Sequence, residues 1–181
     1  MKYGDATMGQ TEAVINRMGG FENWLRFAGG QGKIVFDTIL AFLRTQLITS
    51  FVAVTTSEEY FSDAGVKSMG ENFKAQFLGL EVGSTDEVEL AVCRLERNSL
   101  DAPILTELGD KAEINVSQFK AFLAGNRGSS EWFVFYLRGK DGSLWAVNAL
   151  WYGFLDGWLV EAYSVGDRSP WNAGSQVVSR N

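Results

Sequence analysis

Three apolar runs separated by two Asp-Gly turns fill Glu131 to Val165, and this pattern restricts the segment to consecutive antiparallel strands. The first run, Trp132-Phe133-Val134-Phe135-Tyr136-Leu137, is rich in aromatic residues, a composition that packs on a pleated surface. Asp141-Gly142 leads into the second run, Leu144 to Tyr152, and Asp156-Gly157 into the third, Trp158 to Val165. Glycine reaches positive φ without strain, so each pair marks a turn. Period two puts Trp145, Val147, Ala149 and Trp151 on one side of the second run, and Ala146, Asn148, Leu150 and Tyr152 on the other. In the third run, Trp158, Val160 and Ala162 oppose Leu159, Glu161, Tyr163 and Val165. Both faces are largely apolar. Such a sheet is either covered on both sides or presents an adhesive face.

Upstream, Gln10 to Met18 and Phe21 to Ala28 read as two short helices stopped by Gly19-Gly20 and Gly29-Gly30. Ile34 to Ile48 reads as either helix or strand, and periodicity does not arbitrate. Phe51 to Thr56 is strand-like, and Val66 to Met69 is a short strand. Gly70 to Leu78 is helical. Glu87 to Leu95 suits strand or helix, and its Glu, Leu, Ala and Arg content favours helix. Pro103 begins a short helix through Leu108, and Ser117 caps another, whose apolar face is Phe119, Phe122 and Leu123. Gln176 to Ser179 is a last short strand. The expected fold is α+β: an antiparallel sheet of four to six strands ending in the meander, with short helices. An N-terminal helical segment over residues 1–32 precedes a single domain over 33–181.

Composition excludes several chemistries. Histidine is absent and Cys93 is the one cysteine. That removes the usual neutral-pH base, any internal disulfide, and the normal ligands of zinc or iron. Calcium or magnesium on carboxylates stays open. No cofactor is expected. The net charge of −6 comes with scattered single Lys and Arg, which disfavours a nucleic-acid partner. Gly30-Gln31-Gly32-Lys33 fails as a phosphate loop, because Phe27 and Ile34 stand where glycine and Ser/Thr are required. No apolar run reaches the roughly 20 residues that span a bilayer. With no signal-like start, a cytoplasmic protein without a membrane partner is expected.

Several blocks carry a family resemblance. They are Gln10 to Gly20, Val66 to Gly79 with Gly70-Glu71-Asn72-Phe73 and Phe77-Leu78-Gly79, and Ser99 to Gly109. The fullest is the end: Leu144-Trp145-Ala146-Val147, Trp151-Tyr152-Gly153, Gly157-Trp158, Glu161 to Val165, Trp171, Ala173-Gly174 and Val177 to Asn181. The chain resembles an uncharacterised family of proteins from candidate-phyla, Parcubacteria-like bacteria. The resemblance implies a bacterial cytosolic setting and favours strand over Ile39 to Ile48. It implies no activity and no catalytic residue.

Two functions remain. The preferred one is a non-enzymatic binding protein whose partner is another protein or a small ligand, acting through an aromatic sheet face or rim. Its candidate binding residues are Trp151 and Trp171, with Asp167, Arg168 and Asn172 beside the latter. Trp132, Trp145 and Trp158 are assigned to the core. The alternative is a glycosidase-like hydrolase using two carboxylates, with Glu161, Asp156 and Asp167 as the acids in or beside the meander.

Overall fold

The structure, a computed structural model, describes residues 38–49, 51–84, 86–166 and 170–181. All of these but Thr38 belong to the compact unit Ile39–Asn181. The expected N-terminal helical segment, residues 1–32, lies outside the described residues.

The chain runs through β1 (Leu40–Ile48), a two-residue β2 (Val54–Thr55), α1 (Glu58–Ser62), β3 (Val66–Met69), α2 (Glu71–Phe77) and β4 (Glu81–Val82). Then come β5 (Val88–Leu95), α3 (Asp101–Leu108), β6 (Glu113–Ile114) and α4 (Val116–Gly125). The meander follows as β7 (Trp132–Arg138), β8 (Leu144–Tyr152) and β9 (Gly157–Ser164), and β10 (Gln176–Arg180) ends the chain. Eight strands form one sheet in the order β1-β5-β10-β7-β8-β9-β3, with β6 also pairing β7.

The sheet is mixed, which corrects the expectation of an antiparallel sheet of four to six strands. β3 runs parallel to β9, and both β6 and β10 run parallel to β7. Parallel neighbours are joined by crossovers rather than tight turns, so no local turn signal announces them. β6, α4 and β7 form one such crossover. β3 and β10 are short strands whose partners lie far away in sequence.

β5 is a strand, not the helix its residue types favour. It sits between β1 and β10 and buries side chains on both faces: Leu90 and Val92 on one, Ala91, Cys93 and Leu95 on the other. A strand covered on both sides reads as a continuous apolar run, and tertiary pairing overrides helix propensity. Ile39 to Ile48 also resolves as strand, with the Glu107 carboxylate accepting the Ile39 and Leu40 amides at 2.9 and 3.3 Å. Phe51 to Thr56 yields only β2, which pairs β4. α4 is capped by Asn115, not Ser117. The Asn115 side chain accepts the Gln118 amide at 2.8 Å while Gln118 accepts the Asn115 amide at 2.9 Å.

Two cores follow from the two faces. Phe61, Phe73, Phe77, Phe119 and Phe122 from the helical side pack on Leu90, Val92, Phe133, Phe135, Val147, Trp158 and Val160. Edge-to-face ring pairs join the layers: Phe119 meets Phe135 at 4.8 Å and Phe122 meets Phe133 at 5.0 Å. On the opposite face Ile39, Leu40, Ile104 and Trp171 cover Cys93, Leu95, Val134, Tyr136, Ala146 and Val177.

Gly157 allows β3 to approach the meander. A Cβ there would sit 2.0 Å from Lys67 Cγ and 2.8 Å from the Gly65 carbonyl oxygen. The Lys67 Cγ can rotate away, but its Cβ, at 2.9 Å, and the Gly65 carbonyl cannot. Gly157→Ala is therefore expected to lose about 1–3 kcal/mol in urea unfolding, as overpacked sites do. A loss that Lys67→Ala fully restores would show that the backbone contact is harmless.

Candidate functional site

The β8–β9 hairpin carries the clearest surface feature. Consecutive bonds from the Leu155 amide to the Tyr152 carbonyl and from the Asp156 amide to the Gly153 carbonyl close the loop. Asp156 takes positive φ, 46°, a conformation that aspartate tolerates better than most residues. The loop thus projects Phe154 and Leu155 outward. Phe154 is 89% exposed and Leu155 43%. The Tyr152 ring lies 6.4 Å from Phe154.

Register extends this apolar tip along one face. Trp132 pairs across from Leu150, and Leu150 from Leu159, so the three form a row over β7, β8 and β9. Tyr152, two residues past Leu150, continues the same face. Trp132 is 49% exposed and Tyr152 46%, while Leu150 and Leu159 are half-buried. This corrects the assignment of Trp132 to the core. The overlooked signal was Phe154-Leu155 itself, two large apolar residues in a turn where polar ones are usual.

The residues singled out from sequence do not gather. Trp151 is half-buried on the first core, edge-to-face with Trp158 at 5.3 Å. Trp171 is 3% exposed within the second core, on the other face of the sheet. It is no rim residue. Ser99 and Trp171 exchange both backbone hydrogen bonds at 3.0 and 2.8 Å, drawing Trp171 inward. Asn172 is exposed beside it, and Asp167 and Arg168 lie outside the described residues.

Trp171 instead serves a buried carboxylate. Asp101, 1% exposed at the start of α3, accepts Trp171 Nε1 at 2.7 Å, the Tyr136 hydroxyl at 2.9 Å and the Gly166 amide at 3.1 Å. Three donors occupy its oxygens, so it ties α3, β7 and the segment after β9 together.

The other acids stand apart from this. Glu161 is exposed on β9 and accepts the Tyr163 hydroxyl. Asn148, its cross-strand neighbour, is buried and its Oδ1 has no hydrogen-bond partner. A groove of about 250 Å³ lies elsewhere, lined by residues that include Glu81, Glu113, Asn115 and Arg138. There Arg138 grips Glu113 through both Nε and Nη2, and that hydrogen bond and charge raise the guanidinium's already high pKa. Burial, and then the Glu107 charge, push the Cys93 thiol up, which keeps it protonated and unreactive near neutral pH. Among the described residues no three Cys, Asp or Glu side chains converge to hold a metal ion. No helix among them is long and apolar enough to cross a membrane. No protein-family model, curated protein or solved structure matches the chain.

Proposed function

We propose that this chain is a non-enzymatic binding protein of the cytosol that engages its partner through the aromatic face of the β8–β9 hairpin. The observation that carries this is the exposure of Phe154 at 89%, beside Tyr152, Leu155 and Trp132. Large aromatic side chains held in water on a rigid hairpin are the typical anchors of an interface. The hydrolase alternative finds less support. Glu161 is itself exposed on β9, Asp101 is spent on three donors, and Glu113 is held by Arg138.

Phe154→Ser tests this reading. The substitution removes almost no buried area, so its Tm is expected to stay within about 2 °C of the parent. Used as baits in a native lysate, the parent is expected to retain a partner that the variant loses. Identical capture by both baits defeats the reading.

A further inference from the structure

We propose that the Asn148–Glu161 pair, on the sheet face that carries Trp132 and Tyr152, binds an organic cation with N–H donors, an ammonium or guanidinium group. The pair lies beside the hairpin tip, and its role stands whether or not that tip engages a partner.

An orphan acceptor is the first argument. Asn148 is 9% exposed, and its Oδ1 is closed to water and without a hydrogen-bond partner. A buried acceptor left unpaired costs stability, so a fold that keeps one calls for a donor from outside its own side chains.

Register identifies the kind of donor. Asn148 stands directly opposite Glu161. Directly opposed residues hold their Cβ atoms about 4.5–5.5 Å apart, so one cationic head can reach the oxygens of both. Glu161 is exposed. On its far side stands Gly70, where a Cβ would lie 3.4 Å from Glu161 Cγ, so no side chain of that residue covers the carboxylate. The Glu161 charge turns away an anionic ligand. Two side chains offer too few oxygens for calcium, which takes about six to eight, whereas ammonium and guanidinium groups carry several N–H donors and no acceptor. The Glu161 carboxylate accepts the Tyr163 hydroxyl, and the cation enters as Glu161 turns from Tyr163 toward Asn148.

Apolar neighbours take the rest of the ligand. Trp132, Leu150 and Leu159 form the adjacent row, two residues along the strands and about 7 Å away. A short alkyl stem laid on the two leucines puts its charged head at Asn148 and Glu161. Lys67 is the cation nearest in register on this face, its stem over Gly157. Four residues of β9 separate it from Glu161, about 13 Å, which exceeds the screening length of about 10 Å at 0.1 M salt.

NMR titration of the isotope-labelled full chain with hexylammonium tests the site. Saturable shifts are expected at the Asn148 side-chain amide and at the Leu150 and Glu161 backbone amides. Asn148→Leu and Glu161→Gln are each expected to raise Kd about tenfold or more. Asn148→Leu removes an unpaired acceptor, so its Tm is expected to equal or exceed the parent's. Hexyltrimethylammonium has the same charge and chain but no N–H, and is expected to bind about tenfold more weakly or worse. Nα-acetyl-lysine methylamide separates the sources of such a cation. Binding as tight as hexylammonium supports the site and assigns it to a lysine side chain of a protein; weaker binding supports it and assigns it to a free amine. The proposal is overturned if no saturable shift appears at these residues, or if hexyltrimethylammonium or hexanoate binds there as tightly. It is also overturned if either variant keeps the parent's Kd, or if Asn148→Leu melts well below the parent, because the amide then has a structural partner of its own.

Discussion

Replacing Trp158 by Ala is expected to cost about 4 kcal/mol, against about 1–2 kcal/mol for Trp145→Ala, although both stand within adjacent strands of one meander. Trp158 is fully buried, with edge-to-face contacts to Phe133 at 6.0 Å and Trp151 at 5.3 Å. Its Nε1 donates to the Leu123 carbonyl at 3.1 Å, in the last turn of α4, so the indole also fastens the helix to the sheet. Removing it opens a large cavity and deletes that bond. Trp145 is half-buried, and its Nε1 reaches only the exposed Asp141 carboxylate at 3.3 Å. Urea midpoints at unchanged m-value measure both. Equal losses would mean that the hairpin end packs as tightly as the centre, contrary to the burial seen.

That contrast marks where sequence reasoning worked. Strong local signals were legible. Two Asp-Gly turns placed β7, β8 and β9 in succession, and period two sorted their faces: Trp145, Val147, Ala149 and Trp151 do share one side, across from Trp158, Val160 and Ala162. α2 and β3 were likewise visible as local patterns. What was not legible was non-local. β5 has helix-forming residues, and only its place between β1 and β10 makes it a strand. α1 is short, and its start rests on one local contact, the Ser57 hydroxyl accepting the Tyr60 amide. The parallel pairings of β3, β6 and β10 depend on chain crossovers that leave no trace in a local window.

The candidate site failed for a related reason. Trp171 follows Pro170 in an irregular segment, which suggests a surface loop. Its burial depends on the reciprocal backbone bonds with Ser99 and on an acceptor from α3, neither of which is adjacent in sequence. Trp132 opens the most aromatic run of the chain, which suggests core. Yet it stands at the strand's first position, on the face where Leu150 and Leu159 are only half-covered. Period two correctly grouped Leu150 with Tyr152. It did not say which end of that face lies open.

Asp101→Ala is expected to be the second large loss, about 3 kcal/mol or more, because hydrogen bonds to a buried carboxylate are each worth more than neutral ones. The Trp171 indole, the Tyr136 hydroxyl and the Gly166 amide all lose their common acceptor. Asp101→Asn separates charge from shape. Its amide oxygen still serves Trp171 and Tyr136, but its NH₂ group then meets the Gly166 amide, donor against donor. A smaller loss of about 1–2 kcal/mol is expected, with faster hydrogen exchange confined to Gly166 and the chain just after β9. Hairpin behaviour should not change in either variant, because the Tyr136 and Trp171 side chains that Asp101 accepts from pack in the second core and Phe154 stands outside both cores. Urea unfolding gives the stability and amide exchange gives the location. A loss below about 1 kcal/mol for Asp101→Ala would show that the backbone bonds of Trp171 to Ser99 and of Gly174 and Ser175 to Leu95 hold the last segment without it, leaving the carboxylate without a structural role.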